Sequence, residues 1–208
     1  MLVSGGAKRL GAAIARELHG AGADIVVHYH RSRPAAEALV AELEATRPGS
    51  AMAACADLLD LDRLASLVEA ALARFGRLDV LVNNASTFYP TPIGDITPAQ
   101  FEDLIGTNLR APLFLSQAAA PALRQSRGLI LNMVDIHARR PLQGHPVYCA
   151  AKAALAMLTK SLARELGPEV RVNGIAPGPV MWPERELDAA LKAEIIAKTA
   201  LKRRGSPD

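Results

Sequence analysis

Tyr148-Cys149-Ala150-Ala151-Lys152 sets a phenol and an ammonium four residues apart, on one face if the segment is helical. A free phenol titrates near pH ~10. An adjacent ammonium favours phenolate and lowers that value, and such a pair can pass a proton to the atom beside a hydride acceptor. Alone, this spacing arises by chance in many helices. Asp135 lies 13 residues earlier, at the end of the apolar run Leu129–Val134. There a carboxylic acid can hold a proton, anchor an amino-heterocycle or form a strand-end turn, and position alone leaves these readings open.

Two further loops could bind rather than react. Ser4-Gly5-Gly6-Ala7-Lys8-Arg9-Leu10-Gly11 follows an apolar stretch and opens a helical one. Its first glycines permit a tight turn, and a helix N-terminus beyond them favours phosphate. Arg9 stands where many such loops carry glycine, so the plain G-x-G-x-x-G is absent, and an ordinary strand–helix turn is the competing reading. After the next strand the chain reads His28-Tyr29-His30-Arg31-Ser32-Arg33. An NAD-selecting fold places a carboxylate there for the ribose hydroxyls. A cationic fork and a hydroxyl instead suit a 2′-phosphate, which reads as NADP selectivity, against a merely solvated basic turn. His28 and His30 point the same way on a strand, but two histidines without a third ligand do not make a metal site.

The elements that would position these residues alternate. Strands are expected at Met1–Ser4, Asp24–Tyr29, Ala51–Cys55, Leu78–Val82, Leu129–Val134 and Glu169–Ile175. Helices are expected at Gly11–Ala21, Pro34–Ala45, Asp60–Arg74 with Asp60 as N-cap, and Pro146–Leu166. Thr97-Pro98 opens another, broken near Gly106 and resuming through Ala119, and a last stretch covers Arg185–Lys198. Apolar strands alternating with helices predict a single α/β domain over residues 1–208, a Rossmann-like, doubly wound parallel sheet with helices on both faces. Ligands then bind beyond the carboxyl ends of the strands, where the loops above fall.

Composition narrows the class. The 208 residues are 50% hydrophobic and 22% charged, which excludes wholesale disorder. A chain of this length buries about 70% of its unfolded surface and needs no metal or disulfide staple. No apolar run reaches the roughly 18 residues of a membrane span. The net charge of +3 is scattered, so no nucleic-acid partner is expected; the cluster Lys202-Arg203-Arg204 reads as a solvated helix end. Cys55 and Cys149 lie far apart without zinc-ligand spacing. With no signal-peptide pattern at Met1-Leu2-Val3-Ser4, a cytoplasmic setting is expected.

Gly5 through Gly11, Asn83-Asn84-Ala85, Asn108, Tyr148-x-x-x-Lys152 and Pro177-Gly178, in that order, resemble the short-chain dehydrogenase/reductases, from the first residues to about Gly205. Within them the sequence is most similar to the pteridine reductases. The carriers are Ala7-Lys8-Arg9-Leu10-Gly11, His28-Tyr29-His30-Arg31-Ser32, the stretch Asn83 to Pro92 with Ser86 where most relatives have glycine, and Asn132-Met133-Val134-Asp135 with aspartate where most use serine.

The resemblance implies NADPH-dependent reduction of a small-molecule pterin substrate; no metal is expected from the Cys and His spacing. Asp135, Tyr148, Lys152 and Asn108 would form the catalytic group, Lys152 depressing the Tyr148 pKa and Asn108 steadying the Lys152 end. Gly5, Arg9, Leu10, Asn84, Ala85, Ser86, Pro177 and Gly178 would line the cofactor, with His30, Arg31 and Ser32 at its 2′-phosphate and Asp57 and Leu58 at its adenine. Arg9, Ser86, Phe88, Asp135 and Tyr148 would meet the substrate, Phe88 by stacking. A dimer or tetramer is implied. Pro179, where relatives often place Thr or Ser, cannot donate a hydrogen bond; Met181 and Trp182 beyond it could line a lid. The family's last helix and strand would follow Asp208 and are missing, so the chain is expected to be truncated. The alternatives are reduction of another carbonyl, such as a 3-oxoacyl thioester, and a non-catalytic nucleotide-binding remnant.

Overall fold

The computed structural model describes residues 1–182 and 187–207. Six strands form one parallel sheet: β1 (Leu2–Val3), β2 (Ile25–Tyr29), β3 (Ala51–Cys55), β4 (Val80–Asn83), β5 (Leu129–Met133) and β6 (Arg171–Ile175). Their order is β3-β2-β1-β4-β5-β6. The order reverses between β1 and β4, and at that switch a crevice opens beyond the carboxyl ends.

Alternation along the strands feeds two cores. Leu2, Val26, Leu81 and Ile130 face one side, with Leu64 and Leu67 of α3 (Asp62–Phe75) and Leu115 and Leu123 of α5 (Ala111–Ser126). Val3, Ile25, Val27 and Val82 face the other, with Ala12 and Ala15 of α1 (Arg9–Gly20) and Leu39 and Leu43 of α2 (Arg33–Thr46). Each such aliphatic side chain contributes about 2 kcal/mol by leaving water. The sheet is therefore the expected Rossmann-like, doubly wound one, and its rigidity fixes where the loops emerge.

The remaining elements carry the site. α4 (Pro98–Ile105) starts at a capping box in which Thr97 and Gln100 satisfy each other's backbone N–H groups. A π-helical turn, Gly106–Arg110, joins it to α5 and holds Asn108 wholly buried. α6 (Pro146–Leu166) begins with proline in its first turn, as expected. α7 (Ala189–Ala197) buries none of its residues.

Some element boundaries depart from the sequence reading. Leu61, not Asp60, is the N-cap of α3; the Asp60 carboxylate instead accepts the Asp62 N–H at 3.2 Å, one step outside the helix. α5 does not stop at Ala119 but runs past Pro121 to Ser126, because Ala119, Ala120 and Leu123 are buried against α3 and the sheet. β6 starts at Arg171 rather than Glu169. Of Arg185–Lys198, Arg185 and Glu186 lie outside the described residues, as do Pro183 and Glu184 of the preceding loop. Lys202, Arg203 and Arg204 are exposed, past the end of α7.

Candidate active site

The glycine loop leaves β1 and is tied down from two sides. Ser4 Oγ accepts the N–H groups of Asn84 (2.9 Å) and Ala85 (3.1 Å), and Asn84 Nδ2 returns bonds to the carbonyls of Ser4 and Gly5, both at 3.0 Å. Gly5 takes φ +59°, where a side chain is strained, and a Cβ there would come within 2.9 Å of Ala85 Cα. Gly11 faces this knot: a Cβ on it would overlap the Gly5 carbonyl oxygen and lie 2.6 Å from Asn84 Nδ2. Arg9 also has positive φ and sends its guanidinium to the Met181 carbonyl at 3.3 Å. Lys8, the N-cap of α1, supplies no side-chain cap, so the first-turn amides around Arg9 and Leu10 keep their donors.

On the other side of the crevice, the end of β5 meets the start of α6. Asp135 forms the strand-end turn its position allowed, and also meets Tyr148. Its Oδ1 accepts the His137 N–H at 2.8 Å and shapes a short 3-10 turn, Ile136–Ala138, while Oδ2 accepts the Tyr148 hydroxyl at 2.6 Å. Lys152 is buried, donates to the Met133 carbonyl at 2.9 Å, and lies 5.7 Å from the centre of the Tyr148 ring. Phe88 is half exposed and meets Tyr148 edge-on with centroids 4.8 Å apart. Asp135, Tyr148, Lys152 and Phe88 thus converge.

One electrostatic expectation is corrected here. The Tyr148 pKa is raised, not lowered: burial disfavours the phenolate, and the hydrogen bond to Asp135 and its charge hold the proton on. Lys152 does not offset this, because burial lowers its own pKa to about 8, with Asp135 pulling the other way. Asn108 lies in the π-helical turn between α4 and α5, and its side-chain bonds go to other groups than Lys152. Its amide donates to the carbonyls of Leu104 (2.9 Å) and Thr87 (3.0 Å), and its Oδ1 accepts the Ser86 hydroxyl at 2.6 Å. Asn108 therefore braces the loop after β4, and Ser86 is turned toward it.

The remaining predicted positions lie along the same edge. His30 and Arg31 are exposed at the end of β2 and Ser32 is the N-cap of α2. His30 Nε2 stands 3.8 Å from Asp57 Oδ2, and Leu58 beside it is buried. Pro177 and Gly178 follow β6, with Gly178 exposed. Met181 and Trp182 are described, and Met181 is half exposed.

Two histidines have more contacts than the sequence suggests. His28 is buried between the glycine loop and the end of β3. His145, the N-cap of α6, stacks on Phe88 with centroids 4.8 Å apart and planes 11° from parallel. Among the described residues no group of three or more His, Cys, Asp and Glu could hold a metal, and no helix is long and apolar enough to cross a membrane. Both cysteines are free.

A family model described as short chain dehydrogenase matches residues 1–187. The chain belongs to the short-chain dehydrogenase family. Among curated proteins it is 38% identical to pteridine reductase 1 of Leishmania tarentolae, over 99% of this chain and 84% of that protein. It is 38% identical to L-xylulose reductase of Bos taurus (88% of this chain, 72% of the relative) and 34% identical to the 3-oxoacyl-[acyl-carrier-protein] reductase FabG of Staphylococcus aureus (98% and 84%). The short-chain dehydrogenases are oxidoreductases that use a nicotinamide nucleotide, and the residues present fit one. The cradle at Gly5 and Gly11 has no room for a side chain, and an uncapped helix N-terminus opens beyond it.

Proposed function

We propose that this short-chain dehydrogenase reduces pterins with NADPH. The observation that carries the reading is the 2.6 Å bond from the Tyr148 hydroxyl to Asp135, beside the half-exposed ring of Phe88. Gly5, Arg9, Leu10, Asn84, Ala85 and Ser86 would hold the dinucleotide, with His30, Arg31 and Ser32 at its 2′-phosphate and Asp57 and Leu58 at its adenine. Pro177 and Gly178 would border its nicotinamide end. When bound, the reduced nicotinamide supplies hydride.

The chain's own residues handle the proton. Burial and Asp135 keep Tyr148 protonated, so the phenol stands ready as a donor. Giving up that proton would leave phenolate and carboxylate 2.6 Å apart, a like-charge pair in a half-buried cleft. The transfer is favourable only if Asp135 carries a proton to pass back, so the two groups act as a relay from solvent. A ring nitrogen needs such a proton when it accepts hydride at the neighbouring carbon. Phe88 supplies a flat apolar face for a heterocycle, and Lys152 sets the local positive charge.

The FabG and L-xylulose reductase relatives support the second reading, reduction of another carbonyl. An NADPH-oxidation panel separates the two. Dihydrobiopterin and dihydrofolate are expected to be turned over in preference to acetoacetyl thioesters and small ketones. Turnover of the thioester or ketone without the pterins overturns the proposal, and NADPH binding without any turnover favours a non-catalytic remnant.

A further inference from the structure

We infer that His28 is a positioning residue that presets the glycine loop for an anion, an inference that rests on the nucleotide reading of that loop. His28 is 2% exposed on β2, and its contacts are complete. Its main-chain carbonyl accepts the Gly6 N–H at 2.9 Å. Its ring Nδ1 lies 3.0 Å from the Gly5 nitrogen, and Nε2 lies 3.1 Å from the Ala56 carbonyl.

These contacts fix the tautomer. A backbone amide can only donate, so Nδ1 must carry the lone pair. A carbonyl can only accept, so Nε2 must carry the hydrogen. The imidazole is therefore neutral. The desolvation that lowers its pKa to about 4 agrees with this, and outweighs the Ala56 hydrogen bond and the Asp57 carboxylate after β3, which pull the other way; His30 at the end of β2 also faces it.

One residue thus receives both amides of the glycine turn. Gly5 and Gly6 are spent on His28, so the donors left to face a phosphate are those of the first turn of α1, around Arg9 and Leu10. The ring also spans two parts of the cleft, since Ala56 immediately precedes Asp57, the proposed adenine contact. His28 sets the distance between the phosphate loop and the adenine loop by side-chain hydrogen bonds across β2.

Three variants of the full chain test this. His28→Asn keeps an acceptor near Nδ1, His28→Gln keeps a donor near Nε2, and His28→Phe keeps only the ring. NADPH affinity is read by fluorescence titration, together with the ligand-free melting temperature and kcat at saturating NADPH. Leaving the half-buried Gly5 amide unpaired should weaken NADPH about ten-fold in His28→Phe, with kcat within about three-fold of the parent. His28→Asn should recover most of the affinity and His28→Gln should not. Equal affinities for Asn and Gln, or a lowered melting temperature with unchanged affinity, would overturn the positioning role. If His28→Phe does not fold, the Asn and Gln pair still decides. Failure of the parent chain to bind NADPH or NADH defeats the nucleotide reading itself, and with it this one. In the ligand-free protein, ¹⁵N shifts of the imidazole should report a neutral Nε2–H form at pH 6; an imidazolium there contradicts the assignment.

Discussion

The two halves of the sheet's carboxyl edge are held by different kinds of bond. Around β1, β2 and β3 the loops are closed by backbone groups meeting buried or half-buried side chains: Ser4, Asn84 and His28 take or give seven hydrogen bonds to main-chain atoms of the glycine loop and its neighbours. None of these groups needs a ligand to be satisfied. Around β5 and α6 the contacts join side chains that the proposed reaction would engage: the Tyr148 phenol with Asp135, the Lys152 ammonium with a carbonyl, the Phe88 face with the His145 ring. On the proposed function, the first half is built before the nucleotide arrives, whereas the second is satisfied in a form that turnover would have to break. Binding and chemistry should therefore respond separately to substitution.

The sharpest way to break that separation is at Tyr148. Tyr148→Phe removes the proton donor and should lower kcat by about 10²- to 10⁴-fold, with NADPH affinity little changed. Asp135→Asn should follow, because an amide cannot relay a proton. It should also shift the pH profile in a direction the charges dictate. Asp135 raises the Lys152 pKa, which stands at about 8. Without the carboxylate that value falls, so any activity needing the ammonium is lost at lower pH than in the parent. A kcat/KM profile whose alkaline limb stays in place or moves upward would contradict the coupling. A loss of affinity matching the loss of kcat would erase the distinction between the halves.

The glycines offer a smaller effect on the other side. Gly11→Ala drives a methyl into the Gly5 carbonyl and against Asn84 Nδ2, both parts of the preset knot. Overpacking of that kind costs about 1–3 kcal/mol, and NADPH affinity should fall with the melting temperature. Gly178→Ala is the control at the far end of the edge, where no atom of the described residues lies within 4 Å of the added carbon. Its stability should stay within about 0.5 kcal/mol of the parent. Equal losses at the two glycines, by thermal denaturation, would show that the first half is no more tightly built than the second.

The sequence made local features legible and long-range ones obscure. Pro146–Leu166 and Ala51–Cys55 were readable to the residue, because a first-turn proline and a short apolar run between turn signals are local. The end of α5 was not, because burial of Ala120 and Leu123 carries the helix past a proline that local propensity treats as a stop. The same divide runs through the site. Lys152 is four residues from Tyr148 and drew the pKa expectation, yet burial first, and then Asp135, thirteen residues away, set its direction. His28 looked incidental because its partners are the amide of Gly5 and the carbonyl of Ala56, and backbone groups leave no mark on side-chain type. His145 belongs to no spacing motif; it meets Phe88 only because α6 starts beside the loop after β4.

The smallest expected effect separates charge from preset geometry within the first half. Arg33 is engaged by Glu37 at 3.4 Å and lies over the Tyr29 ring, and His30 faces Asp57. Arg31 is exposed and its side chain meets no partner among the described residues. Ser32 caps α2 without using its hydroxyl, so a cation, a hydroxyl and a helix N-terminus stand together with no acceptor between them. An exposed charge-assisted bond is worth about 1 kcal/mol, so Arg31→Gln should weaken NADPH several-fold, leave NADH unchanged and flatten the salt dependence of NADPH binding. The asymmetry is what matters: NADH lacks the 2′-phosphate and should not register the change. Equal losses for both cofactors would move Arg31 from selecting the phosphate to a general role in the loop, and the first half would then hold its ligand by shape alone.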